Sequence, residues 1–345
     1  QARNLRFRLM ADWCAKHGAQ ALVLAHHRDD QAETVLMRLA RGSGVSGLAG
    51  MASRQLIHTA AAPILLLRPL LDYAGEDVKA LAHKAALPVI EDPSNHDPRF
   101  ERVRWRRLLP LLAEHGLDVA RLSEMAREMR AMQTALDKKL TAWLDHYAKW
   151  HAYGVLSLPR ADFDALPLVY RQRFLGRFVQ YFGQHAHPVK QKKTNRLLQQ
   201  IEETPHGAAS VGGLLMRWRK HQLFLGREAA ACPAPMAICD ITSGNDGRFH
   251  SHFDRRFTFS STKRAKKLRL GALGSQGVAE MRARGLAFDT TVPAAYYAAL
   301  LGIFDGDRLL DCPLLLSSVE GETGFQLHSV YYHGFYRDII AGGQG

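Results

Sequence analysis

Cysteine is scarce: the chain has four, Cys14, Cys232, Cys239 and Cys312, and no C-x-x-C pair. That excludes zinc-ribbon and thioredoxin-like spacings. The four read as buried thiols of a reducing compartment, so a cytoplasmic protein is expected. Long apolar runs are missing too. The longest, Ala60 to Leu67, is strand-sized, far below the roughly 18–20 residues that cross a bilayer, and no membrane partner is expected. The seventeen histidines form no H-E-x-x-H, which leaves a zinc hydrolase without support. There is no signal-peptide pattern, internal repeat or low-complexity segment. Acid is the minority sign, 33 residues against 46 basic ones, for a net charge of +13. The excess points to a polyanionic partner, nucleic acid before membrane, since no basic amphipathic helix with a clean apolar face stands out. Apolar and charged contents of 47% and 23% are those of an ordinary globular chain, and 345 residues suffice for two or three cores.

What is present concentrates in one stretch. Ala21-Leu22-Val23-Leu24-Ala25 reads as a short buried strand. After it, Val35, Leu36 and Leu39 repeat at helical spacing, and Gly42 lies where a helix would stop. Between them stand His26, His27, Asp29 and Asp30. Asp30 with Glu33 has capping-box spacing, with Asp in place of Ser or Thr. Two histidines and two aspartates therefore sit where a strand turns into a helix, the carboxyl end at which open α/β sheets bind ligands. The plainer alternative is that one Asp only caps the helix and the histidines lie on the surface.

H-H-R-D-D-Q-A-E-T followed by R-G-S-G-V-S-G-L-A-G-M resembles the tRNA(Ile)-lysidine synthetases of the N-type ATP pyrophosphatase group. Arg68-Pro69-Leu70-Leu71 fits the same pattern, as does Asp92-Pro93-Ser94-Asn95-His96-Asp97 followed by Phe100, Arg102, Arg104 and Arg106. These motifs span residues 25 to 107 in the family's order; the other two-thirds of the chain matches more loosely. The family's phosphate loop, S-G-G-x-D-S, is not among these residues, and the chain opens at Gln1 directly into a helical pattern. The expectation is a fragment lacking the first part of its catalytic domain, and inactive as it stands.

The resemblance implies a ligase that uses ATP and Mg2+. It would adenylate the wobble cytidine of tRNA(Ile) with a CAU anticodon, and free L-lysine would then displace AMP to give lysidine. It implies catalytic roles for His27 and Asp30, with Glu33 beside them, and contact with the nucleotide for His26 and Asp29. Asp29 or Asp30 is the candidate magnesium ligand, and spacing does not decide between them. Arg41, Gly42, Ser43 and Gly44 would border the lysine and tRNA entrance, although a helix stop plus turn explains them as well. Asn95, Arg102, Arg104 and Arg106 are candidate substrate contacts, because clustered guanidiniums grip phosphates bidentately; the alternative is a solvated helix face. Two rival classes are a related tRNA thiolation enzyme, which would need paired cysteines, and an RNA-binding remnant without catalysis.

The fold expected is α/β. An incomplete parallel sheet with flanking helices, of the adenine nucleotide α-hydrolase type, is followed by a helical region and a mixed α+β C-terminal region. The domains expected are 1–107 (catalytic), 108–230 (helical linker and substrate specificity, ending in short strands) and 236–345 (tRNA-binding). Strands are predicted at Ile64–Leu67 and Pro88–Ile90, with Asp72 capping a helix through Val78 and Leu81. A long apolar stripe runs from Leu122 to Tyr147, and helices follow around Leu168–Phe182 and Lys190–Glu202. Short strands are predicted at 209–211, 214–218, 223–225, 249–252, 257–259 and 308–310, and helices at 278–284 and 294–301. Arg255, Arg256, Lys263, Arg264, Lys266, Lys267 and Arg269, interleaved with Phe253, Phe257 and Phe259, form a candidate tRNA footprint. A homo-oligomer is compatible with all of this.

Overall fold

The computed structural model describes residues 2–58, 63–89, 92–151, 153–183, 191–237, 242–243, 249–254, 257–261, 267–312 and 325–329. By contacts, residues up to Lys139 form one unit and Leu140–Gly342 a second.

The first unit runs α1 (Ala2–Lys16), β1 (Ala21–Val23), α2 (Arg28–Ala40), α3 (Val45–Leu48), β2 (Arg54–His58), β3 (Pro63–Leu67), α4 (Gly75–Lys84), a 3-10 turn at Pro93–His96, α5 (Glu101–Glu114) and the start of α6 (Val119–Tyr147). Its three strands lie in the order β1-β3-β2. β1 runs parallel to β3, with Leu22 beside Leu66. β2 is antiparallel to β3, so the expectation of a parallel sheet holds for one strand pair only. The physical reason is the short link between β2 and β3, which can only reverse the chain; a parallel step needs a crossover of a dozen residues or more.

Two further expectations fail here. Pro88 and Val89 are exposed and outside any strand; the rest of that predicted strand, Ile90, lies outside the described residues. The helix assigned to an Asp72 cap begins at Gly75 with Ala74 as its cap residue. Ala32, Val35 and Leu36 of α2 pack against Leu109 of α5 and Leu122 and Ala126 of α6, which fixes the side from which α5 faces α2.

The second unit contains β4 (Lys149–His151), β5 (Val155–Pro159), α7 (Arg160–Asp164), α8 (Leu168–Phe182), α9 (Gln191–Glu203), β6 (Gly207–Val211), β7 (Leu214–Trp218) and β8 (Gln222–Arg227). These strands form an antiparallel sheet in the order β4-β5-β8-β7-β6. Phe163, Phe174, Phe178 and Phe182 pack with Leu156, Leu198, Met216 and Leu225 beneath it. β4 and β5 were not expected, because K-W-H and V-L-S-L-P carry too little alternation to signal strands.

Then come β9 (Met236–Ala237), β10 (Thr242–Ser243), β11 (Phe249–Phe253), β12 (Phe257–Ser261), β13 (Leu268–Ala272), α10 (Gly274–Ala283), β14 (Leu301–Asp305), β15 (Arg308–Asp311) and β16 (Phe325–Ser329), arranged as sheets β15-β14-β13-β9 and β10-β11-β12-β16. The helix expected over 294–301 is a 3-10 turn, Ala294–Ala299, running into β14. Its Tyr296 hydroxyl donates to the Phe224 carbonyl at 2.9 Å, so the turn is fastened to β8. Among the described residues no helix is long and apolar enough to cross a membrane.

Candidate active site

β1 and β3 run in the same direction, so their carboxyl ends open on the same side, and the backbone holds the two exits together. Leu24 N–H donates to the Leu67 carbonyl, and Arg28 N–H to the Tyr73 carbonyl, both at 2.9 Å. The start of α2 and the start of α4 thereby meet. α2 is capped at His27, not at Asp30: the His27 backbone N–H donates to Asp30 Oδ2 at 3.1 Å, with Asp30 as the third helical residue. The expected capping box is displaced by three residues because Glu33 is engaged elsewhere. Asp29 and Asp30 lie in the first turn, where the positive end of the helix dipole favours anions.

The His27 ring sits between the two carboxylates. Nδ1 is 3.2 Å from Asp29 Oδ2 and Nε2 is 3.5 Å from Asp30 Oδ2. Asp29 Oδ2 also accepts the Gly75 backbone N–H at 2.7 Å, so an α2 carboxylate caps α4. Gly75 is required there: a Cβ would stand 2.9 Å from His27 Cε1 and 3.0 Å from Asp29 Oδ2. His26 is half-buried and adjoins this group in the chain.

Glu33 is fully buried one turn along α2. Arg106 Nε donates to its Oε1 at 2.7 Å, and Arg102 Nε lies 3.0 Å from its Oε2. Burial pushes the Glu33 carboxyl above the usual range, against the pull of Arg106 and Arg102. Arg102 reaches further, to Thr34 Oγ1 at 3.2 Å and to within 3.9 Å of Asp30 Oδ1. The structure thus brings His27, Asp29, Asp30, Glu33, Arg102 and Arg106 into one cluster. Arg104 faces another way and donates to the carbonyls of Pro98 and Arg99. Asn95 belongs to the Pro93–His96 turn. Arg41 pairs with Glu101 at the first turn of α5, while Gly42, at φ +68°, and Ser43 lead to Gly44, the cap residue of α3.

The loop after α2 is held by Gln31 and Arg68, which stand in the quoted motifs, and by Arg38 and Arg130, which the sequence did not single out. Arg38 Nη1 donates to the Gly47 and Gly50 carbonyls, each at 2.8 Å. Gln31 donates to the Met51 carbonyl at 3.0 Å and accepts its N–H at 2.7 Å. Arg130, from α6, donates to the carbonyls of Ala49 and Met51. Arg68, at the end of β3, is buried and donates to the Ala52 carbonyl at 2.7 Å. The R-P-L-L segment is thereby tied to Ala52, the residue that follows G-L-A-G-M. Outside those motifs only Arg38 carried a local signal, its three-residue distance from Val35, an α2 position that faces inward.

A PP-loop domain model matches residues 1–112. The tRNA(Ile)-lysidine synthase of a Bradyrhizobium species is 38% identical over 237 residues, covering 65% of this chain and 63% of that protein. The one from Ruegeria pomeroyi is 33% identical over 228 residues, covering 66% and 53%. The one from Methylobacterium nodulans is 36% identical over 234 residues, covering 66% and 68%. The chain belongs to the tRNA(Ile)-lysidine synthase family. It spans about half to two-thirds of the length of these three curated relatives.

Within this family member, magnesium was expected at Asp29 or Asp30. Among the described residues no three His, Cys, Asp or Glu side chains stand together as a metal cage. Magnesium bound with a nucleotide does not need one: one or two carboxylates, waters and substrate phosphates complete its shell. Asp29, the more exposed of the two, keeps Oδ1 clear of the Gly75 bond, so the donor set fits. Of the candidate tRNA footprint, Arg255, Arg256, Lys263, Arg264 and Lys266 lie outside the described residues, while Lys267, just before β13, and Arg269, within it, are exposed.

Proposed function

We propose that this chain carries the lysine- and tRNA-handling part of an ATP-dependent ligase. The ligase joins lysine to C2 of the wobble cytidine of tRNA(Ile) with a CAU anticodon, through an adenylated cytidine, releasing AMP and pyrophosphate in the cytoplasm. One observation carries the reading beyond family membership. His27, Asp29 and Asp30 converge at the carboxyl ends of the parallel strand pair, and two arginines anchored on Glu33 stand beside them.

Each group has a chemical task there. Asp30, held by the His27 N–H and near Arg102, offers an anion to the ammonium of free lysine. The His27 imidazole, set between two carboxylates, takes the proton from the attacking amine. Asp29 Oδ1 would hold magnesium, which supplies charge neutralisation at the phosphates of ATP. Arg106 spends Nε on Glu33 and leaves its outer nitrogens for phosphate oxygens. His26, next to this group in the chain, is assigned to the nucleotide, and the Arg41–Gly44 segment, after the far end of α2, to substrate entry.

The test is radiolabelled lysine incorporation into CAU-anticodon tRNA(Ile). These 345 residues contain no S-G-G-x-D-S, and alone they should incorporate nothing above a no-ATP control. Joined behind the S-G-G-x-D-S segment of a curated relative, they should incorporate lysine and release pyrophosphate. Absence of incorporation by the joined, folded protein would contradict the proposal.

A further inference from the structure

The charges of α9 are placed against its own stability. Lys192 and Lys193 occupy the first turn and Arg196 the second, while Glu202 and Glu203 occupy the last. The helix dipole favours the reverse, anions at the start and cations at the end. The two acids are nevertheless accounted for: Glu202 accepts Arg171 Nη1 at 2.6 Å and Glu203 accepts Gln199 Nε2 at 2.7 Å. Among the described residues Lys192, Lys193 and Arg196 make no ion pair or side-chain hydrogen bond, and all three are exposed. Elsewhere the chain uses its arginines otherwise, as in Arg102 and Arg106 on Glu33, Arg160 on Asp164 and Arg227 on Asp254.

Two of these cations, Lys193 and Arg196, border a groove of about 350 Å³ between α9 and β6, lined also by Gln200, Ser210 and Gly212 over a floor that includes Leu197 and Val211. β6 is the edge strand of its sheet. Thr194, Leu197, Leu198 and Ile201 are the buried residues of α9, and the last three belong to the core beneath the sheet, so the basic residues beside them are rigidly presented. Lys193 and Arg196 are three residues apart and are neighbours on the helix surface. No aromatic side chain lines the groove, which removes the stacking platform that single-stranded base recognition uses.

We propose that the groove between α9 and β6 is a docking site for the sugar–phosphate backbone of the tRNA, with Lys193 and Arg196 each on a phosphate. The site rests on the reading of tRNA as substrate but lies outside the catalytic cluster and outside the two basic segments, 99–107 and 255–269, that the sequence marks. Ser210 and Gln200 supply polar contacts to ribose hydroxyls. Contact of this kind positions the RNA without reading its bases.

The experiment is tRNA binding by residues 1–345 across a salt series, with tRNA(Ile) and with a tRNA of unrelated sequence. The double variant Lys193→Glu/Arg196→Glu is compared with Lys220→Glu/Arg308→Glu, which makes the same change in net charge at two other exposed positions of this unit. The groove variant should bind both RNAs about tenfold or more weakly. Its log–log salt slope should be shallower by about 1.4–1.8, two contacts' worth. The control should stay within about twofold of the parent. Because the reversed charges now suit the helix dipole, the melting temperature should hold or rise, which separates lost contact from lost fold. Unchanged affinity would overturn the site, as would a loss confined to tRNA(Ile). A parent chain that binds neither RNA would overturn the site and the tRNA reading together, whereas normal parent binding with a silent groove variant would overturn the site alone.

Discussion

In residues 140–342, Phe163, Phe174, Phe178 and Phe182 lie without exposure under a five-stranded sheet. In the residues before them the sheet has three strands, Val23 of β1 remains 59% exposed, and the buried clusters around Val35 and around Ile64 are small. Order in that first unit comes instead from side chains bonded to backbone and to one another: Arg38, Arg68 and Arg130 on carbonyls, Asp29 on the α4 N-terminus, Glu33 on two arginines. Apolar burial is strong but non-directional. Charge-assisted hydrogen bonds contribute less each and fix angles. The unit that holds His27 and Asp30 is the one built from directional contacts.

The contrast makes graded predictions. Phe178→Ala should cost the second unit about 3–5 kcal/mol, the usual price of emptying an aromatic core position, and urea melts should show it. In the first unit Glu33→Gln keeps the volume and removes the charge that Arg102 and Arg106 share. A loss of about 1.5–3 kcal/mol is expected, the worth of hydrogen bonds to a charged group. An unaltered urea midpoint there would mean that the ion pairs do not hold α5 to α2.

Gly75→Ala tests aim more than stability. Helical alanine is ordinarily the better residue, yet here its Cβ must displace His27 or Asp29, at an overpacking cost of about 1–3 kcal/mol. The His27 imidazole resonances should shift in the NMR spectrum; unshifted resonances would show that the approach of α4 is slack.

The smallest effect belongs to a buried histidine of the second unit. His151 Nε2 lies 2.8 Å from Ser157 Oγ, and burial, aided by Lys149, pushes its pKa below the ordinary 6.5 against the pull of Asp289. The unfolded chain therefore takes up the proton first. Stability should be full above about pH 6.5 and decline as pH falls through and below it, until the folded His151 also protonates. His151→Gln should flatten that part of the pH–stability curve, and a curve of unchanged slope would exclude His151 as its source.

How much of this could be read in the sequence depends on the range of each interaction. α8 matched its predicted span, Leu168–Phe182, because Pro167 and Gly183 punctuate both ends. β6 to β8 followed from Gly212-Gly213 and the alternation of Leu214, Met216 and Trp218. The start of α2 was misplaced because Asp30 and Glu33 imitate a capping box, while Glu33's real partners lie 69 and 73 residues away in α5. β2 escaped notice because R-Q-L-I-H has only two apolar residues. The catalytic candidates were legible as a motif, since most of them share one turn. Gly75 and Arg130 were not. Each acts through a contact 46 or more residues away, and neither a lone glycine at the start of a helix nor an arginine on an amphipathic face carries a local mark.

The central claim is that Asp30 serves the chemistry and not only the helix. Asp30→Asn, in the protein joined to the S-G-G-x-D-S segment, separates the two. Asparagine keeps an oxygen for the His27 N–H, so the melting temperature should stay put. The site loses a full negative charge, worth about 1.5–3 kcal/mol in a charge-assisted contact. That predicts a fall in kcat/KM for lysine of roughly tenfold to a hundredfold. Wild-type turnover by a stable Asp30→Asn protein would contradict the account and return Asp30 to the role of a helix cap.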